Sequence, residues 1–331
     1  MYNRRDLVKE KEQELVSIIV PVYNVYPYLA QCLDSLCAQS WRQMEIILID
    51  DGSTDGSENI CDRYAEADSR IRVIHKKNQG VSAARNDGIE QAGGRYLMFV
   101  DADDRIHPEL VAVCLQAAEP RVTVICGATT KEEAWEACSA ADWEQHVEYL
   151  EEAQFMQAYR DDYINPPFNK LYAADVIRKY GIRFPEDVSL GEDLWFNLSY
   201  QEKFRGAWKI IHEPLYYYRE NRNGSLSNLY RRDLFEIQQM KAEILYHFMQ
   251  NIGIWNEESK KVYYGMYWDR LFLIARICRE YERTHPEDRR LGLILSHPIW
   301  KRVWKECRIR KLLNWKRRIK GICVMLYKMT A

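Results

Sequence analysis

No stretch of this 331-residue sequence approaches the ~20 consecutive apolar residues of a membrane-spanning helix. Its nine cysteines are scattered, odd in number and without a Cys-x-x-Cys pair, which argues against a zinc site or a disulfide framework. The N-terminal residues are mostly charged, so a signal peptide is not expected. These absences predict a cytoplasmic protein with reduced thiols. Its length allows one large domain or two ordinary ones.

The sequence also lacks the glycine-rich loops that hold phosphates in nucleotide-binding proteins. The first predicted strand ends at Pro21–Asn24, where a dinucleotide-binding fold would carry Gly-x-Gly-x-x-Gly. No Gly-x-x-x-x-Gly-Lys-Ser/Thr motif occurs either. A phosphate-bearing ligand would therefore need another anchor, and a metal ion is the evident candidate.

Three carboxylates stand together at Asp101, Asp103 and Asp104, directly after an apolar run that predicts a buried strand. Like charges this close repel one another unless a cation lies between them. Mg²⁺ or Mn²⁺ binds one or two protein carboxylates and completes its shell with water and substrate phosphates. The alternative is a solvated acidic turn before a helix that has Pro108 in its first turn.

Predicted strands alternate with predicted helices over the first hundred residues, which favours a mainly parallel sheet covered by helices on both faces. Ligands of such sheets bind at the carboxyl ends of the strands. Four loops should therefore converge on one cleft: Pro21–Asn24, Asp50–Ser53, Asn78–Gly80 and Asp101–Asp104.

Taken together, four motifs resemble the family 2 glycosyltransferases of the GT-A fold, in the family's order and usual spacing. They are Val16–Asn24, Ile49–Asp55, Asn78–Asn86 and Phe99–Asp104. The resemblance implies an α/β fold with a Rossmann-like, mainly parallel sheet flanked by helices. It also implies an inverting enzyme that uses a nucleotide-diphosphate sugar, usually a UDP-sugar.

The resemblance further implies roles for individual residues on the donor side. Pro21, Tyr23 and Asp51 would contact the base and ribose, and Asn24 is expected to bind the donor beside them. Asp101 and Asp103 would serve the sugar nucleotide, and Asp103, or Asp104 with it, would ligate Mn²⁺ or Mg²⁺.

Simpler roles stay open for several of these positions. Tyr23 could pack against the sheet edge, and Asp50 is better explained as a turn cap than as a ligand contact. Arg85 is either a donor-binding residue or a structural partner of the acidic cleft, bonded to Asp101.

A second acidic pair, Glu192 and Asp193, follows Gly191 and opens an apolar helix. Acidic residues are common in a first helical turn because of the helix dipole, so ordinary helix-start chemistry is the alternative. The pair resembles the family's acceptor-side motif. Asp193 would then be the general base that takes the acceptor hydroxyl's proton.

The segment after His212 contains three tyrosines, Tyr216–Tyr218, followed by Arg219 and a loop rich in Asn, Gly and Ser. Similar family members have a Tyr-Tyr-Arg and a Gly-Ser loop here. Arg219 and Arg222 would then grip the diphosphate, and the loop would close over the donor.

The sequence predicts four regions: an N-terminal extension at 1–14, a catalytic domain at 15–228, a helical appendage at 229–299 and a basic amphipathic segment at 300–331. Residues 301–331 carry net +10, although the whole chain carries −2. Basic residues interleaved with tryptophans favour an anionic membrane surface, which places the enzyme in the cytoplasm or peripherally on the inner face of the cell membrane. A docked helix is the alternative, and a nucleic-acid partner is not expected.

These observations predict a metal-dependent inverting glycosyltransferase that uses a nucleotide-sugar donor and a saccharide or lipid-linked acceptor in surface polysaccharide synthesis. One alternative is a catalytically silent, sugar-nucleotide-binding scaffold subunit. The other is a nucleotidyltransferase, which would need a Gly-rich, basic loop where Pro21–Asn24 stands.

Overall fold

A computed structural model describes residues 14–188, 190–220, 231–285 and 287–312. The chain divides into two compact units at residue 222. The expected domain boundary at 228/229 lies outside the described residues, as do nearly all of the expected N-terminal extension and residues 313–331. That domain scheme stays a prediction.

The first unit alternates strands and helices up to β4, as the sequence predicts. In chain order its elements are β1 (Val16–Val22), α1 (Tyr26–Cys37), β2 (Met44–Asp50), α2 (Ser57–Ala67), β3 (Ile71–His75), α3 (Val81–Gln91), β4 (Tyr96–Phe99), β5 (Arg105–Ile106), α4 (Leu110–Ala117), β6 (Val122–Thr129), α5 (Glu132–Glu136), β7 (Val147–Leu150), α6 (Phe155–Arg160), β8 (Lys170–Ala173), α7 (Ala174–Tyr180), α8 (Glu192–Phe204) and β9 (Ala207–Tyr217).

Within the described residues these strands form one nine-stranded sheet in the order β3-β2-β1-β4-β8-β6-β9-β5, with β7 paired to β9. The first four strands in this order are all parallel, so β1, β2 and β4 end at the same edge. Strand β8 runs antiparallel to β4 and β6, whereas β6 and β9 are parallel. The predicted fold class, a sheet flanked by helices with a helical C-terminal region, is confirmed.

The central strands are apolar on both faces because helices cover both. Ile18 and Val20 of β1 lie in one core cluster with Leu29 of α1, whereas Ile19 lies in a second cluster with Phe196 of α8. Fully burying one such side chain contributes roughly 1.5–3 kcal/mol. Because successive side chains of β1 point to opposite faces of the sheet, this strand packs against helices on both faces.

Helix α3 packs unusually close to the sheet. A Cβ atom added at Gly88 would lie 2.3 Å from Cγ2 of Ile19, so this position requires glycine. The close approach brings the N-terminal half of α3, which carries Arg85, under the carboxyl edge of the sheet.

The second unit contains α9 (Leu234–Asn251), α10 (Glu257–Thr284), α11 (Arg290–Ser296) and α12 (Ile299–Ile309). Asn256 caps the N-terminus of α10: its Oδ1 accepts hydrogen bonds from the backbone N–H groups of Glu258 and Ser259. Among the described residues, no helix combines the length and apolarity that a membrane span requires.

The start of the expected basic segment belongs to the packed core of this unit. Trp300 and Val303 are buried, and Trp300 and Trp304 both contact the ring of Trp268, with centroids 5.9 and 5.4 Å away. The thiol of Cys307 lies 3.5 Å from the carbonyl oxygen of Tyr264. Residues 300–312 are therefore docked, and binding to a membrane surface stays a prediction for residues 313–331.

Strand β8 places a lysine inside the sheet. Lys170 is 2% exposed. Its Nζ donates to Oδ1 of Asn169 at 2.8 Å and to the carbonyl of Pro166. Burial lowers the pKa of Lys170 to about 7, because the charged form is poorly solvated there.

This burial predicts a pH-dependent stability. The pKa of Lys170 is lower in the folded chain than in the unfolded one, so its charged form opposes folding fully below about pH 7 and progressively less up to about pH 10. Relative to Lys170→Met, the wild type should gain about 1.4 kcal/mol of unfolding free energy per pH unit in that window. Urea unfolding of both proteins between pH 6 and 10 measures it, and a constant difference would contradict the buried-lysine account.

Candidate active site

The loops after β1 and β2 are interlocked at the carboxyl edge of the sheet. The backbone N–H of Asp51 donates to the carbonyl of Val22 at 2.8 Å. Asn24 adopts a left-handed conformation (φ 47°), accepts a bond from the N–H of Thr54 and donates its own N–H to Oγ of Ser53. The predicted convergence of these two loops is confirmed.

Asp51 is buried and holds the loop that precedes α3. Its two carboxylate oxygens accept from the backbone N–H groups of Gln79 and Gly80 at 2.9 and 2.8 Å. Asp50 accepts from the N–H of Ser53, so the turn-capping role expected for it is confirmed. Asp51 thus fixes a third loop beside the first two.

Two predicted donor-binding residues stand at the end of β1. Pro21 is half-buried and pairs in register with Ile49 of β2. Tyr23 leaves 49% of its surface exposed, so it does not pack into the sheet edge. Its ring is accessible for stacking on a planar ligand.

The aspartate turn after β4 contains one buried carboxylate and two more accessible ones. Asp104 is 1% exposed, and its oxygens accept from the hydroxyl of Tyr216 at 2.7 Å and the backbone N–H of Arg219 at 2.8 Å. Burial raises the pKa of Asp104 well above its usual range, and the charges of Asp101 and Asp103 raise it further. Asp104 therefore holds the end of β9 to the turn, whereas Asp101 and Asp103 are half-exposed.

Arg219 reinforces the same junction. Its Nε donates to the carbonyl of Asp103 at 3.0 Å, its Nη2 donates to Gln31, and its guanidinium lies 4.9 Å from the ring centre of Tyr28. Arg222 and the following Gly-Ser loop, which were expected to act with it, lie outside the described residues.

A single buried guanidinium joins the carboxylate expected on the donor side to the one expected on the acceptor side. Arg85 is 4% exposed; its Nη1 donates to Oδ1 of Asp193 at 2.7 Å and its Nη2 to Oδ1 of Asp101 at 2.9 Å. Burial alone would lower the pKa of Arg85, but the charges of Asp193 and Asp101 outweigh it and raise that pKa. Helix α8 presents Asp193 in its first turn, directly after Gly191 in a left-handed conformation (φ 107°).

Asn86, the last residue of the third motif, is a buried hydrogen-bonding residue. Its amide donates to the carbonyl of Phe184 and to Glu186, and its Oδ1 accepts from the N–H of Phe184. The ring of Phe184 lies 5.1 Å from the guanidinium of Arg85. The adjacency of Asn86 to Arg85 in one motif was the available signal, since consecutive polar residues in an otherwise small-residue helix need buried partners.

Two buried polar atoms of the site lack partners among the described residues, Nε of Arg85 and Oε2 of Glu192. Buried donors and acceptors are normally satisfied, so a ligand or a water molecule is a suitable partner for these two atoms. Glu192 is close enough to Arg85 for its charge to raise the arginine's pKa. The pair therefore provides one donor and one acceptor beside Asp193.

The described residues contain no cluster of three or more His, Cys, Asp or Glu side chains able to hold a metal ion. Mg²⁺ and Mn²⁺ do not require one, because they bind through one or two carboxylates together with substrate phosphates. The turn that carries Asp101 and Asp103 fits this mode and does not form a dedicated protein cage.

Comparison with known proteins gives consistent matches. The model of "Glycosyl transferase family 2" matches residues 17–181. The uncharacterized glycosyltransferase EpsJ of Bacillus subtilis is 32% identical over 93% of this chain and 92% of its own length. Glycosyltransferase GlyG of Streptococcus pneumoniae is 41% identical over 33% of this chain and 36% of its own length.

Solved structures share the fold. TarS residues 1–349 from S. aureus, in complex with UDP-GlcNAc, superpose with a TM-score of 0.56 at 20% identity, covering 80% of this chain and 83% of that one. The mannosyltransferase PcManGT from Pyrobaculum calidifontis, in complex with GDP-Man and Mn²⁺, gives 0.51 at 14% identity, covering 94% and 84%. With full-length similarity to EpsJ and the family match over the strand-end loops, this chain belongs to glycosyltransferase family 2.

Proposed function

We propose that this glycosyltransferase moves a sugar from a UDP-sugar to a saccharide or lipid-linked acceptor in surface polysaccharide synthesis, with inversion at the anomeric carbon. The observation that carries the proposal is the bridge from Asp101 through Arg85 to Asp193, with bonds of 2.9 and 2.7 Å. This bridge joins Asp101, in the turn after β4, to Asp193, the carboxylate proposed to activate the acceptor. Structural neighbours in complex with UDP-GlcNAc or GDP-Man support the donor class.

On the donor side, the interlocked loops form the proposed nucleotide site. The accessible ring of Tyr23 would stack on the base, with Pro21 and Asn24 beside it. Asp51 would act by holding the loop that contains Gln79, because both its oxygens are engaged there. Arg219 would support the aspartate turn from the other side.

Asp103 is the better of the two proposed metal ligands. Both oxygens of Asp104 already accept hydrogen bonds from protein groups, and its side chain is buried. The chemistry that a bound Mn²⁺ or Mg²⁺ supplies is neutralisation of the charge that develops on the leaving diphosphate.

On the acceptor side, Asp193 would take the proton from the attacking hydroxyl. Its side chain is 33% exposed, so an acceptor can reach it, and Arg85 fixes one carboxylate oxygen. The unpartnered Oε2 of Glu192 would orient the acceptor's sugar ring. An attack on the face opposite the diphosphate produces inversion.

A lipid-linked acceptor would be met at a membrane surface. Residues 313–331 contain five lysines and arginines and no acidic residue. We include in the proposal a peripheral association of this segment with the inner face of the cell membrane.

Asp193→Asn should lower kcat by roughly 10²–10⁴-fold, the range for loss of a general base, and leave UDP affinity near normal. Steady-state kinetics and UDP calorimetry test this, with thermal unfolding to verify that the variant stays folded, because Arg85 loses one of its two carboxylate partners. Asp187→Asn, the same charge change on the exposed loop before α8, is the matched control. Loss of UDP binding with an unchanged kcat would remove Asp193 from the role of base.

Asp103→Asn should affect activity, whereas Asp104→Asn should affect stability. Asp103→Asn should abolish Mn²⁺-dependent turnover and leave the unfolding temperature near that of the wild type. Asp104→Asn should cost about 1–3 kcal/mol of stability, because its amide cannot accept bonds from both Tyr216 and Arg219. Activity titrations with Mn²⁺ after EDTA treatment, together with thermal unfolding, distinguish the two variants. If Asp104→Asn instead lost Mn²⁺-dependent turnover and Asp103→Asn lost stability, Asp104 would be the metal ligand.

Asp51→Asn should raise KM for the donor by about tenfold and change kcat little, because one amide oxygen replaces two carboxylate acceptors and one loop N–H loses its partner. Initial rates across donor concentrations measure the effect. A variant with wild-type KM would place Asp51 outside the donor site.

A further inference from the structure

The helical unit contains a cavity of about 400 Å³ between α9, α10 and the start of α12, a size typical of small-molecule sites. Tyrosines form much of its wall: Tyr246 comes from α9, and Tyr263, Tyr264 and Tyr267 come from α10. The residues of the proposed catalytic site all belong to the first unit.

The tyrosine rings are held in place by one another. The ring of Tyr263 packs edge-to-face against those of Tyr264 and Tyr267, with centroids 5.1 and 5.9 Å away. Trp255 packs in the same manner against Tyr246 and Tyr263, at 4.9 and 5.2 Å. Rings fixed before a ligand arrives lose little freedom on binding, which favours affinity.

Opposite charges flank this aromatic wall. Glu243 and Arg302 both line the cavity, and both are exposed. Burial, and then the charge of Glu243, raise the pKa of Tyr267 to about 12, while the charge of Arg302 acts in the opposite direction. Both charges therefore act on the Tyr267 hydroxyl, and their effects oppose each other.

This lining discriminates among ligand classes. A purely apolar ligand would cover the polar side chains of Gln239, Glu243 and Arg302 and offer them no group to bind. A phosphate would meet the carboxylate of Glu243, and a cation would meet the guanidinium of Arg302. A sugar ring presents apolar C–H faces to aromatic rings and hydroxyl groups to carboxylate, guanidinium and amide side chains.

We infer that this cavity is a binding site for a neutral saccharide. This inference rests on the proposed function, and the saccharide is part of the acceptor glycan. The helical unit then holds part of the glycan that the enzyme extends.

The test uses the full-length protein without donor on a printed array of neutral and anionic oligosaccharides, followed by calorimetry with the tightest-binding neutral glycan. Tyr267→Ala should weaken that binding roughly tenfold through loss of an aromatic face. Tyr267→Phe should keep most of it, because the ring remains. Tyr281→Ala, at the other end of α10 where the tyrosine stacks on His285, should leave affinity unchanged.

Thermal unfolding identifies any variant that loses binding by misfolding, and in that event Glu243→Gln replaces Tyr267→Ala with the same expected direction. Absence of neutral-glycan binding, binding of anionic glycans alone, or wild-type affinity in folded Tyr267→Ala would overturn the inference. Donor hydrolysis is measured separately. If hydrolysis is normal but glycans do not bind, only this inference fails; if hydrolysis and transfer are absent while Tyr267-dependent binding persists, the proposed function fails and the saccharide site stands.

Discussion

The proposed active site depends on a buried guanidinium that carboxylates pair from two sides. Arg85 lies almost entirely out of water, and the carboxylates of Asp101 and Asp193 supply the charges that make this tolerable. Removing one partner of a buried ion pair typically costs about 3–5 kcal/mol, because it leaves an uncompensated charge. Helix α3, the end of β4 and the start of α8 are therefore constrained to meet at one guanidinium.

The surrounding structure makes that meeting point rigid. Gly88 allows α3 to approach β1 closely, and Asn86 joins the same helix to the backbone of Phe184 with two hydrogen bonds. Asn197 of α8 accepts from the hydroxyl of Tyr172 on β8 at 2.5 Å, which fixes the helix that carries Asp193. Catalytic groups need positions accurate to about 0.5 Å, and buried hydrogen bonds of this kind supply that accuracy.

The two units have different physical characters. The first concentrates carboxylates at a sheet edge, where we propose that the donor and its metal ion bind. The second is built on aromatic packing around Trp268, and it uses the first turns of the basic C-terminal region as core. The charge pattern favoured a membrane-binding segment from residue 300, with a docked helix as the alternative. The apolar face of Trp300, Val303 and Cys307 instead buries residues 300–312, because apolar side chains at helical spacing stabilise the unit by packing together.

Local pattern determined much of this protein in advance. Apolar runs alternating with helical periodicity fixed the order of strands and helices up to β4, and four motifs at strand ends located the cleft and the family. The antiparallel insertion of β8 was not foreseeable, since it depends on pairing between segments some seventy residues apart. Only the tertiary structure separated the buried Asp104 from its neighbours and joined Arg85 to both Asp101 and Asp193. Burial and ion pairing depend on residues that are distant in sequence. Which opposite charges become neighbours is therefore decided by the tertiary fold, and local sequence does not predict it.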